Sequence, residues 1–224
     1  MGRPIEVVAL VEGPTEKIFI ESLLSPYLAR ARICMTSTIL TKPGQNGGDV
    51  RFSRAQNDIE RHLKQRKETW LTLLVDYYGI KSDWPGYQKS KRETQPVSKA
   101  RVMNEATRKQ VNELFGDHDS ERRFIPYVSM FEFEALLFSD AKILAQKLNV
   151  RQKDVEKILS KCGEPEKIND KSQTAPSKRL EALSDRFKKT TTGINIAQEI
   201  GIDKMRESCP IFDQWITDLE NLKH

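Results

Sequence analysis

The first sustained apolar run is Ile5 to Val11 (IEVVALV), which reads as a strand buried on both faces of a parallel sheet. Gly13 and Pro14 break it, and from Thr15 to Leu24 apolar residues recur at helical spacing with Pro14 suited to the first helical position. Ile33 to Leu40 (ICMTSTIL) is rich in β-branched residues and predicts a second strand. A glycine-rich loop, Lys42-Pro43-Gly44-Gln45-Asn46-Gly47-Gly48, leads into an amphipathic helix from about Ser53 to Glu68. Trp70 to Val75 (WLTLLV) predicts a third buried strand, closed by Asp76-Tyr77-Tyr78-Gly79. The stretch from Ile80 to Val97 has no period and reads as a long loop, followed by a helix from about Ser98 to Phe115. Phe124 to Met130 (FIPYVSM) predicts a fourth strand that runs into a helix start over Phe131 to Asp140.

Beyond Asp140 no strand pattern survives; helical segments alternate with breaks at Gly163-Glu164-Pro165, Ala175-Pro176-Ser177 and Ser208-Cys209-Pro210. The expected architecture is an α/β domain over residues 1–140, with a mostly parallel sheet flanked by helices, and a helical C-terminal region over 141–224 packed on it. In such a sheet the ligand site lies outside the carboxyl ends of the strands.

Acidic residues collect at that edge: Glu12 and Glu16 after the first strand, Asp76 after the third, Glu132 and Glu134 after the fourth. Clustered carboxylates repel unless they are protonated or bridged by a cation, and hard divalent ions take oxygen ligands of this kind. Taken singly, each acid also has a plain structural use, as a macrodipole partner in a first helical turn or as a cap at a strand end. Their coincidence points to a metal site for Mg²⁺ or Mn²⁺.

Composition adds constraints. Of 224 residues, 38% are hydrophobic, enough for one sizeable core, and the formal charge of +5 permits a polyanionic partner without demanding one. No apolar stretch reaches membrane-spanning length and the N-terminus lacks a signal-peptide pattern, so a soluble, cytoplasmic protein without a membrane partner is expected. Three distant cysteines, Cys34, Cys162 and Cys209, fit neither a disulfide framework nor a zinc site.

The string Val11-Glu12-Gly13-Pro14-Thr15-Glu16 resembles the first motif of the Toprim superfamily of topoisomerases, primases and nucleases related to the phage overcoming-lysogenization-defect protein. This resemblance implies a Toprim-like sheet, with metal binding or proton transfer for Glu12 and Glu16 and metal binding for Asp76. The chain departs from the superfamily's Asp-x-Asp motif by placing Tyr78 where the second aspartate would stand. Asp83, or the acids after the fourth strand, would then complete the set. Phe133-Glu134-Ala135-Leu136-Leu137 resembles a segment of related defence nucleases, which favours Glu134 over Glu132.

Val75 to Gly79, Phe131 to Asp140, Ala175 to Leu180 and Cys209 to Trp215 are similar to landmarks of a family of small, stand-alone Toprim-like bacterial proteins of unknown function. Some relatives are encoded beside an SMC-like ATPase, which implies an antiviral nuclease effector working with that partner; a homodimer is compatible with this reading. The expected activity is hydrolysis of DNA or RNA phosphodiesters with Glu12, Glu16 and Asp76 catalytic. The alternative is a non-catalytic module that engages a partner ATPase or nucleic acid. Lys42, Arg51 and Arg54 around the glycine loop, and Lys178 and Arg179 at a helix start, are candidate phosphate contacts. Two cations in a first helical turn are electrostatically odd unless an anion sits there. Tyr77, Tyr78, Trp84 and Tyr87, interleaved with Lys81, Lys89, Lys91 and Arg92, suit either base stacking or core packing.

Overall fold

A computed structural model describes residues 3–41, 50–168 and 172–223. Four strands form one sheet: β1 (Ile5–Val11), β2 (Ile33–Ile39), β3 (Trp70–Asp76) and β4 (Phe124–Ser129). All pairings are parallel and the order is β2-β1-β3-β4. The chain therefore turns one way from β1 to β2 and the other way to β3 and β4, which puts a topological switch point between β1 and β3. The register aligns the carboxyl ends: Val11 pairs with Leu74, and Asp76 pairs with Ser129.

Apolar content decides each strand's place. Val7 to Val11 and Leu73 to Val75 are buried, as an interior strand covered by helices requires. At the sheet edge β2 alternates instead, burying Ile33 and Met35 and exposing Cys34 and Thr36. Helices α1 (Pro14–Phe19), α2 (Phe52–Gln65) and α3 (Pro96–Phe115) flank the sheet, α1 and α3 both beginning with proline at the first helical position. After β4, the expected helix start is a 3₁₀ segment, Phe133–Ser139, in which every residue is buried.

The stretch after Asp76 is packed rather than free. Trp84 is buried, donates from Nε1 to Thr107 Oγ1 at 2.9 Å, and meets the Phe52 ring edge-on at 5.5 Å. Tyr77 and Ser90 share a hydrogen bond of 3.2 Å between their hydroxyls. Core packing is thus the use of Trp84 and of most of the Tyr77 ring.

Beyond Asp140, the described residues contain helices and no strand, including α4 (Pro176–Leu183) and α5 (Pro210–Glu220). Trp215 of α5 stacks on Tyr127 of β4 at 4.4 Å and donates from Nε1 to Thr72 Oγ1 of β3 at 2.9 Å. Thr72 Oγ1 donates in turn to the Ile125 carbonyl at 2.7 Å, so a hydroxyl in the middle of the sheet is satisfied on both sides. Both oxygens of the buried Glu166 accept the backbone N–H groups of Ile211 (2.8 Å) and Phe212 (2.9 Å) at the start of α5. The three cysteines are free thiols, and among the described residues no helix is long and apolar enough to cross a membrane.

Candidate active site

The strand ends deliver three carboxylates to the β1–β3 crevice. Glu12 leaves β1 half-buried, and Pro14 starts α1 at once, so Glu16 falls in its buried first turn. Asp76 ends β3, buried, with Oδ1 accepting the Phe133 N–H at 2.9 Å. That bond joins the end of β3 to the start of the 3₁₀ segment, which carries Glu134 in its first turn.

These groups share one electrostatic environment. Burial pushes Asp76 well above the usual carboxylate range, and the charges of Glu16, Glu12 and Glu134 push it further, with Lys189 opposing. Glu16 is raised by burial and by Glu12, again eased by Lys189. Glu134, 1% exposed, is pushed up to about 7 by burial, against the pull of the Lys189 ammonium 2.9 Å from its Oε1. Its Oε2 has no hydrogen-bond partner among the described residues. Burial works against the charge of Lys189, but Glu134, Glu132 and Asp76 outweigh it and hold the ammonium charged.

Lys189 and Gly79 are the two members that the sequence reading missed. Lys189 opens a π-helical turn (Lys189–Gly193) in the helical region, more than a hundred residues from Asp76, and carries no local motif. Gly79 lies directly against Glu12: a Cβ there would overlap the Glu12 carboxylate. A glycine after a strand end reads only as a turn until its neighbour is known.

The remaining candidates fall in different places. Glu132 Oε2 accepts the Ser177 N–H at 2.9 Å at the start of α4. The anion expected at that cationic helix start is therefore supplied by the protein itself. Lys178 pairs with Glu181 at 2.7 Å and Arg179 Nε donates to the Thr174 carbonyl at 2.9 Å. Arg51 precedes α2 beside the Val50–Ile80 bridge, where Val50 N–H donates to the Gly79 carbonyl at 3.0 Å, and Arg54 follows in the first turn. Lys42 lies outside the described residues. Asp83 does not join the acids; its Oδ2 accepts the Ser53 N–H and hydroxyl at 3.3 and 3.1 Å.

Among the described residues no three acidic, imidazole or thiol groups stand close enough to enclose a metal ion. Mg²⁺ keeps several of its waters and needs only one or two carboxylates from the protein. The donor chemistry of Glu12, Glu16 and Asp76 fits that demand, as does the orphaned Glu134 oxygen beside them.

Parallel sheet, switch-point crevice and buried carboxylates together define an α/β protein with an acidic centre at its strand ends. The chain belongs to the DUF4276 family, a domain of unknown function, whose family model matches residues 11–220. No curated protein matches the chain. Two solved structures of the C-terminal region of the Xanthomonas campestris pv. campestris OLD protein are similar to it. The one phased with iodine is 13% identical, covers 96% of this chain and 98% of its own, and has a TM-score of 0.40. The one phased with mercury is 12% identical, with 95% and 97% covered and a TM-score of 0.33.

Proposed function

We propose that the chain is a metal-dependent nuclease hydrolysing phosphodiester bonds of DNA or RNA at the acidic crevice. The observation that carries this reading is the meeting of Glu12, Glu16 and Asp76 at the switch point, where burial and neighbouring carboxylates disfavour the ionised forms of Glu16 and Asp76 unless a cation joins them. Mg²⁺ or Mn²⁺, when bound, would lower the pKa of a water and offset charge on the scissile phosphate. Glu12 and Asp76 would hold the ion, with Glu134 and Glu132 behind them. Glu16, raised by its surroundings, is suited to accept a proton from the attacking water at its carboxylate. The Lys189 ammonium, held by Glu134, adds positive charge where a phosphate would enter. Arg51, Arg54, Lys178 and Arg179 would contact the backbone farther out, and the Toprim resemblance supports an antiviral effector working with an SMC-like ATPase.

The test is cleavage of single- and double-stranded DNA and RNA with Mg²⁺ or Mn²⁺, with and without an SMC-like ATPase encoded nearby. Glu12→Ala, Glu16→Ala and Asp76→Ala should each lower the rate by at least about 10²-fold, and combining them should cost little more, since they act as a unit. Persistence of metal-dependent cleavage in Asp76→Ala would sink the assignment.

A non-catalytic binding or regulatory module is the second reading, and Lys189 is the observation that favours it. An ammonium paired with Glu134 already offsets charge in the cluster without any ion. Under that reading no substrate is cut with metal and partner present, while partner or nucleic acid still binds.

A further inference from the structure

A cavity of about 380 Å³ opens beside the acidic crevice. It is lined by Tyr77, Phe131, Thr94, Gln95, Pro96, Lys99 and Lys167, none of them acidic. Tyr77 directly follows Asp76 and Phe131 directly precedes Glu132, so cavity and crevice are built on neighbouring residues of the same two strand ends.

The charges here are opposite to those in the crevice. Lys99 donates to the Ser90 carbonyl at 3.0 Å and has no carboxylate at ion-pair distance among the described residues. Burial lowers its pKa, against the weaker opposing pull of the Glu93 carboxylate. Lys167 lines the same cavity, half-exposed and paired with Glu164 of its own turn at 3.3 Å. The Phe131 ring meets Tyr77 edge-on at 5.6 Å, so aromatic surface and two cations line one cavity.

We propose that this cavity is the subsite for one nucleotide of a single-stranded nucleic acid, its phosphate held by Lys99 and Lys167 and its base against the Tyr77 and Phe131 rings. The volume falls at the small end of ligand sites, and a base held in a duplex must leave its stack before it can enter. The substrate class rests on the nuclease reading above, but the test reads binding alone.

Titrations of the full chain with labelled single-stranded and duplex oligonucleotides, in chelator and at several salt concentrations, give affinity and salt slope. Single strands should bind more tightly than the duplex. Lys99→Gln and Lys167→Gln should each weaken single-strand binding several-fold and lower the salt slope by about 0.7. Lys99→Arg should keep both. Lys167 is half-exposed, so its variant remains informative if Lys99→Gln disturbs the fold. Unchanged affinity and slope in the double lysine variant, no binding by wild type, or equal affinity for the duplex would each overturn the subsite. Expected binding without cleavage under any condition would keep the subsite and refute the nuclease; cleavage unaffected by both lysine variants would do the reverse.

Discussion

A Cβ at position 79 would fall on the Glu12 carboxylate, while the backbone there lies outside the left-handed region and accepts any residue. Alanine at 79 therefore leaves the strand end intact and moves the tip of a flexible side chain. Gly79→Ala should cost less than about 1 kcal/mol of stability in chelator. It should nevertheless abolish most of the rise in Tm that millimolar Mg²⁺ or Mn²⁺ produces in wild type by mass action. Thermal melts with and without metal check this; equal metal shifts in the two proteins would separate Gly79 from the site. The same position shows where sequence reading stops. The place of Glu12, Glu16 and Asp76 at one end of the sheet was legible because apolar runs fix the ends of β1 and β3. Lys189 was not, because only the packing of a distant turn brings it to Glu134.

Among the elements, the four strands were legible to within a residue or two: the interior β1 and β3 by an unbroken apolar run, the edge strand β2 by its β-branched alternation and β4 by its buried apolar stretch. The helical region was legible only as helical. What the pattern could not convey is how its helix starts are satisfied: α4 at Ser177 by Glu132, α5 at Ile211 and Phe212 by Glu166. Both are carboxylates supplied from another part of the chain, and no spacing rule links them to the helix they cap. Burial raises Glu166 to about 7 from an ordinary 4.5, despite the two N–H groups that favour its ionised form. Between those values the folded state holds a proton that the unfolded state has released, so stability grows as pH falls from 7 towards 4.5 and declines as pH rises through 7. The full effect of this group is about 3 kcal/mol. Glu166→Gln removes the titration, so its Tm should change less than that of wild type across this interval, measured without metal. Parallel Tm-versus-pH curves for the two proteins would show that the cap carries no such linkage.

Across the whole molecule, the late helices complete surfaces that the sheet begins. Trp215 reaches Thr72 in the middle of β3 and lies flat on Tyr127 of β4, Lys189 meets Glu134, and Ser177 meets Glu132. Synthesis delivers the chain from its N-terminus at about 5–20 residues per second, so the strands and their carboxylates leave the ribosome seconds before their partners do. During that interval Glu134 has no ammonium, Thr72 has no indole, and the apolar side of β4 faces water. A nascent chain halted near residue 140 is expected to remain protease-sensitive at β3 and β4, whereas one released past residue 220 should be protected; equal protection in both would contradict this. The acidic centre would thereby gain its ammonium, and the sheet its aromatic cover, only as the helical region emerges.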